Sequence, residues 1–349
     1  MPLRDRYWLG FAAALAVASV ALAALGPATT SAPATTAGTS SAPRSSANIP
    51  VASSAANTGA RGTNGYANQV TIVLSGEYRF ITSNGIPNHA TGPFPNAHNP
   101  NSISPQQHYF RVPLHPVVAA QPTPFGLGRF GVALNGVPFE AAGAEYWNGN
   151  PNSGWQYEVM GGHLDLGLDV NNAHVQPTGS YHYHGLPTGY ITPFAALTSQ
   201  KMILLGYAAD GFPIYNQYGH TDPKDSKSPP KKLKPSFALK KGARPVGSPG
   251  GNYDGTFTAD FQYVAGSGDL DECNGRFEVT PDYPEGIYHY TLSESFPYIP
   301  RSFRGTPDAT FIPPGGGGPP PGGGLRRGPP PGPLGPPPPR GAPPPPYGP

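Results

Sequence analysis

Short runs of alternating apolar and polar residues, separated by turn signals, recur between residues 66 and 312. Gln69–Ile81 reads as one or two strands, and Gln107–Val112, Phe130–Leu134, Gln156–Met160, Lys201–Tyr207 and Phe277–Thr280 read likewise. Asn84-Gly85, Asn135-Gly136 and Asn274-Gly275 are tight-turn dipeptides, since both residue types tolerate a positive φ. Asn88–Pro105 carries no period and is expected to be irregular, and only Pro193–Gln200 looks briefly helical. The pattern predicts a mainly β fold: a single β-rich domain with many turns.

The alternation is strictest in His163–Val170. In an extended chain its leucines and Val170 face the core, while His163, Asp165 and Asp169 share the other face, with Gly167 leaving space between them. Aspartate is disfavoured in strands. Two aspartates beside a histidine on one face therefore point to a role beyond solubility. Eleven residues on, Tyr181-His182-Tyr183-His184 puts both histidines on one strand face and both tyrosines on the other. Imidazoles at i and i+2 lie about 7 Å apart along a strand, close enough to share one metal ion. His174, in the intervening turn, offers a third nitrogen, and nearby aspartates can accept the second ring N–H and fix the tautomer.

Part of this segment occurs twice. Leu168-Asp169-Val170-Asn171-Asn172 precedes Pro177-Thr178-Gly179-Ser180-Tyr181-His182-Tyr183, and Leu270-Asp271-Glu272-Cys273-Asn274 precedes Pro284-Glu285-Gly286-Ile287-Tyr288-His289-Tyr290. The shared order is Leu-Asp-x-x-Asn, a spacer, then Pro-x-Gly-x-Tyr-His-Tyr, so the domain is read as internally duplicated. The second copy is poorer in ligands: Arg276 stands opposite His174 and Thr291 opposite His184. Asp271 and His289 are its candidate site residues.

Composition changes the picture at the ends. Glycine (47) and proline (49) make up 96 of 349 residues, far above the usual share, which excludes a helical bundle. Residues 313–349 hold 18 prolines and 12 glycines and read as a disordered tail, able to contact a cell wall or surface. Residues 35–65, rich in Ser, Thr, Ala, Asn and Gly, read as a disordered linker. Residues 1–34 run from basic through apolar to small residues and read as a signal peptide. Export is expected, secreted or periplasmic, with no integral span after cleavage; an uncleaved segment would leave a membrane anchor. The domain is then 66–312.

The net charge of +2 hides a basic stretch. Residues 222–244 carry eight Lys or Arg against two Asp, and 221–249 reads as an exposed insertion loop. Only Phe237 offers a ring among the basic residues, so nucleic acid is not an expected partner. The single cysteine, Cys273, excludes an internal disulfide.

Three blocks carry a family resemblance. Tyr181-His182-Tyr183-His184 resembles the motif of the YHYH-domain family of exported proteins, Gly206–Tyr215 its second block, and Leu270–Arg276 with Phe296–Ile299 its third. The resemblance spans roughly 130–305. It implies export and a metal site of histidines and aspartates, and no particular activity.

Three function classes follow. The first is a metal-binding domain with His182 and His184 as core ligands, completed by His163, His174, Asp165 or Asp169. Imidazole and carboxylate suit Zn, Cu, Fe or Mn. Ca is the lesser candidate, because Asp165-x-Gly-x-Asp169-x-Asn171 lacks the EF-hand glycine and distal glutamate. The structural alternative is a pair of hydrogen-bonded histidines in a Tyr-rich strand. The second class is a metal-dependent hydrolase or oxidoreductase, with Asp210, Asp271 and His289 as acid–base candidates and Tyr181 or Tyr183 as donors to an oxyanion. The third is a surface module presenting aromatic side chains to glycans or proteins. No serine-nucleophile, P-loop or dinucleotide motif is present.

Overall fold

The computed structural model describes residues 65–195 and 200–312; the signal-peptide, tail and most linker assignments fall outside them. In chain order the strands are β1 (Val70–Ser75), β2 (Tyr78–Ser83), β3 (His108–Pro113), β4 (Thr123–Pro124), β5 (Gly131–Ala133), β6 (Pro138–Phe139), β7 (Ala173–Val175) and β8 (Tyr181–Tyr183). There follow β9 (Leu204–Ala208), β10 (Pro213–Tyr215), β11 (Tyr218–His220), β12 (Pro230–Lys232), β13 (Phe237–Leu239), β14 (Phe261–Tyr263), β15 (Gly275–Glu278), β16 (Ile287–Thr291) and β17 (Ser302–Phe303). One α-helix, α1 (Thr188–Ala195), separates β8 from β9. Among the described residues no helix is long and apolar enough to cross a membrane.

An antiparallel sheet β1-β2-β3 packs on an eight-stranded sheet of order β15-β16-β10-β9-β5-β6-β8-β7. In β2 and β3 every second residue points inward: Arg79, Ile81 and Ser83, then His108, Phe110 and Val112. That period of two is the half-buried strand signature in the sequence. Phe130, Phe139, Tyr181, Tyr183, Ile214 and Tyr290 fill the larger sheet's core.

The eight-stranded order is a palindrome of equivalent strands. Hairpin β5-β6 is followed by β7-β8, with β6 parallel to β8; hairpin β9-β10 is followed by β15-β16, with β10 parallel to β16. The two halves meet at the antiparallel pair β5·β9, whose register is Gly131↔Ala208, Val132↔Tyr207 and Ala133↔Gly206. Exchanging the halves maps this register onto itself. Gly131 and Gly206 are equivalent across that seam. A Cβ on Gly131 would lie 2.6 Å from the Tyr207 carbonyl, and one on Gly206 only 2.1 Å from the Val132 carbonyl. The repeat is thus longer than the sequence pattern showed: Gly131–Pro138 corresponds to Gly206–Pro213, which pairs Asn135 with Asp210 and Glu140 with Tyr215.

Each copy is tied by the same clasp. The Asp169 carboxylate accepts from the amides of Asn171 (2.8 Å) and Ala173 (3.3 Å) and from the Tyr181 hydroxyl (2.7 Å). The Asp271 carboxylate accepts from Cys273 (2.9 Å), Gly275 (3.0 Å) and the Tyr288 hydroxyl (3.0 Å). Asn172 and Asn274 take positive φ values of 53° and 54°, which short polar side chains tolerate best after glycine. Gly179 and Gly286, both at φ 85°, make the turn before each Tyr-His-Tyr.

Several expectations are corrected. His163–Val170 is not a strand: Val170 is 76% exposed, and the segment turns through Asp165 and Asp169 side-chain hydrogen bonds to their own backbone neighbours. Those local bonds compete with a sheet ladder. Gln156–Met160 contributes only the isolated bridges Tyr146↔Gln156 and Tyr157↔Phe257. The helix begins at Thr188, five residues before the expected start. The 221–249 segment is not one open loop. β12 pairs with β11 and β13 with β14, Leu233 and Ser236 are buried, and Arg244 is held by Asp260 and Asp254.

Candidate metal centre

His174 and His182 lie directly opposite each other in the antiparallel pair β7·β8. His184 follows β8 and continues the ladder, its amide donating to the Asn172 carbonyl (2.7 Å). The alternation that buries Tyr181 and Tyr183 sends His182 and His184 to the opposite face, where His174 meets them. The three ring centroids stand 4.7, 4.8 and 4.7 Å apart, with their planes steeply crossed. The rings therefore converge edge-on. Nε2 of His184 is 2.9 Å from Nε2 of His182 and 3.1 Å from Nε2 of His174, and the three donor atoms lie within 4.8 Å of one another.

The outer nitrogens set the tautomers. Nδ1–H of His174 donates to the Leu166 carbonyl (3.0 Å), and Nδ1–H of His182 donates to the Ser180 carbonyl (3.2 Å). In a neutral ring this leaves Nε2 as a bare lone pair. Lone pairs at such separations repel unless a proton or a cation lies between them. Protonation is disfavoured: burial, with the neighbouring His182 adding to it, pushes His174 down to about 4, and burial pushes His182 down to about 4. His184 is held well below its ordinary value by burial and then by the other two rings. The rings stay neutral at pH 7, and His174 and His182 present bare Nε2 atoms; His184, whose Nδ1 has no hydrogen-bond partner, can carry its proton on Nε2 towards one of them or release that nitrogen to an ion by moving the proton to Nδ1. Metal–imidazole bonds of about 2.0–2.1 Å at a tetrahedral ion put bound nitrogens about 3.3 Å apart, close to the two short spacings.

Glu140, the residue after β6, completes the surroundings. Its amide donates to the Tyr183 carbonyl (2.9 Å), its Oε2 lies 3.8 Å from Nε2 of His182, and it accepts from Nε2 of Gln176 (2.8 Å). Burial pushes its carboxyl up to about 7, against the opposing charges of Arg129 and His174 and the Gln176 bond. The sequence pattern passed over Glu140. Its only signal was the weak likeness of Gly131–Pro138 to Gly206–Pro213, four identities in eight positions.

The other expected site residues lie elsewhere. His163 is exposed. Asp165 is exposed too and faces His98 at 3.3 Å. Asp169 takes part in the clasp, its Oδ2 accepting also from the Gly92 amide (3.0 Å) and Asn171 Nδ2 (3.1 Å), so its lone pairs are committed away from the triad. Asp271 closes the second clasp. His289 meets Glu278 (2.8 Å), which also binds Arg276 (2.7 Å); neither Asp271 nor His289 joins the first-copy cluster. Asp210 is buried and accepts from the Tyr290 hydroxyl (2.5 Å) and the Gly305 amide (2.8 Å); burial raises it to about 6. Tyr183 shares its hydroxyl with His89 (2.6 Å) and Asn135 (2.9 Å), and Tyr181 donates to Asp169.

Fold and site together define an internally duplicated β protein with one three-histidine cluster among the described residues, His182 and His184 buried and His174 half-buried. The chain belongs to the YHYH protein family, whose model matches residues 109–305. No curated protein and no solved structure matches it.

Proposed function

We propose that this chain is an exported metal-binding domain in which His174, His182 and His184 hold one divalent transition ion. The observation that carries the reading is the convergence of three Nε2 atoms in rings whose burial opposes protonation. The all-imidazole face suits Zn, Cu or Fe, and a carboxylate neighbour also admits Mn. Oxygen-rich Ca is disfavoured, because Asp165 and Asp169 stand outside the cluster. Export rests on the N-terminal sequence pattern alone.

Elemental analysis of the untagged chain tests this directly. About one equivalent of a transition metal is expected in the wild type or after reconstitution, and none in His182→Ala/His184→Ala. A wild type that folds metal-free and takes up no added ion overturns the reading.

The surface-module class has one observation in its favour. Tyr78, Phe80 and Tyr109 run across the outer face of β2 and β3, with ring centroids 6.2 and 6.0 Å apart and Tyr109 51% exposed. Most of the remaining rings pack inward: Tyr181, Tyr183, Tyr215 and Tyr290 are fully buried.

A further inference from the structure

We propose that Glu140 is the fourth donor, so that the centre is a closed set of three imidazole nitrogens and one carboxylate oxygen. This rests on the metal reading and goes beyond it. It says that the site holds its ion instead of leaving a position open for water.

The first argument is that no fixed cation among the described residues touches this carboxylate. Buried carboxylates require a cation or several hydrogen-bond donors. Elsewhere in this fold they have them. Glu158 meets Arg301 at 2.6 Å, Asp260 meets Arg244 at 2.6 Å, and Glu278 meets Arg276 at 2.7 Å. Asp210 lacks a cation and takes a hydroxyl and two amides instead. Glu140 is buried as they are; the Arg129 charge acts on it without an ion-pair contact, and its one ion-pair contact among the described residues is with His182. Its Oε2 stands 3.8 Å from Nε2 of His182, at the edge of the group in which the three imidazole nitrogens converge. One divalent ion there serves the carboxylate and the nitrogens together.

The second argument is internal to the repeat. The clasp residues are kept in both copies: Asp169 and Asp271, Asn172 and Asn274, Gly179 and Gly286, Tyr181 and Tyr288, Tyr183 and Tyr290. The donors are not. Where the first copy has His174, His184 and Glu140, the second has Arg276, Thr291 and Tyr215. Only His182 has a counterpart, His289, and it packs on the Tyr215 ring at 5.2 Å. These three positions differ between the copies while the scaffold is shared, and Glu140 is one of them. The second copy also supplies its own fixed cation: the Arg276 guanidinium, at the His174 position, neutralises Glu278, which stands at the Gln176 position.

Gln176 Nε2 donates to this same Oε2 of Glu140 at 2.8 Å and so fixes the oxygen beside the histidines.

The test is titration of the untagged full chain with Zn²⁺ and Co²⁺ against a competing chelator. Wild type, Glu140→Gln and Glu140→Asp are compared, with folding checked in chelator. Removing a coordinating carboxylate is expected to weaken Zn²⁺ at least tenfold in Glu140→Gln and to shift the visible Co²⁺ absorption. Glu140→Asp, with the carboxylate withdrawn by one methylene, should show a smaller loss and stands in as the readout should Glu140→Gln fail to fold. If the folded variants bind Zn²⁺ as tightly as wild type with the same Co²⁺ spectrum, Glu140 is not a ligand and the three-histidine reading stands alone. A wild type that binds neither ion overturns both.

Discussion

At the scale of single residues, the difference between a ligand and a clasp is a matter of which hydrogen bonds are already made. Asp169 has the residue type and the neighbourhood of a metal ligand. Its carboxylate is nonetheless saturated by three backbone amides, the Asn171 side chain and the Tyr181 hydroxyl. Asp169→Ala is therefore expected to cost stability, about 2 kcal/mol, because it leaves a buried hydroxyl and amides unpaired. The variant should keep its metal stoichiometry, and chemical denaturation alongside elemental analysis separates the two effects. His174, His182 and His184 could be picked out from residue type and spacing, since the alternation of Tyr-His-Tyr-His fixes a shared face. Glu140 could not, because it reaches the site through a parallel strand pairing that no local pattern encodes. His163 and Asp165 look equivalent to the three-histidine cluster only while the chain around them is read as extended.

At the scale of elements, the β15-β16 hairpin shows what replaced the cluster in the second copy. Glu278 is buried, a cost that raises its pKa, but the hydrogen bonds from His289 and Arg276 outweigh it and hold the carboxyl down at about 2, against an ordinary 4.5. The folded state thus binds this proton less readily than the unfolded chain. The resulting stability is fully present above about pH 4.5 and is lost as the pH falls towards about 2. Denaturant midpoints measured from pH 7 to pH 3 should drop in the wild type, and Glu278→Gln should start lower and fall less steeply. A variant with the wild-type slope would show that Glu278 is not the titrating group. Strand positions were legible wherever one face is buried, as in β2 and β3, where the period of two survives in the sequence. The 163–170 stretch has the same period and no strand, because its aspartates bond to neighbouring amides first. The reverse holds at β12 and β13, two short strands in a segment that charge and proline mark as an exposed loop.

At the scale of the whole molecule, an ion bound by the native state and not by the unfolded chain must raise stability. Zn²⁺ at a hundredfold excess over its dissociation constant adds about 2.7 kcal/mol. For a domain of this size that corresponds to an increase of about 5–10 °C in Tm. The rise should be reversed by chelator and be absent in His182→Ala/His184→Ala; calorimetry with and without Zn²⁺ checks it. The mainly β class and the duplication were visible in the sequence, the latter through residues that clasp each copy. The seam was not, because a three-residue register between β5 and β9 leaves almost no sequence trace.

That seam has a further meaning. A contact that maps onto itself when its two sides are exchanged is the isologous contact of a two-fold dimer. Here both sides belong to one chain. Linkage turns what would be an encounter between separate molecules into an intramolecular one, with an effective concentration in place of a bulk one. The pairing no longer depends on the two sides being the same gene product. A symmetric pair of identical subunits must carry a substitution twice or not at all. The joined chain is free of that constraint, and it keeps histidines in one half while an arginine and a glutamate settle the charge of the other.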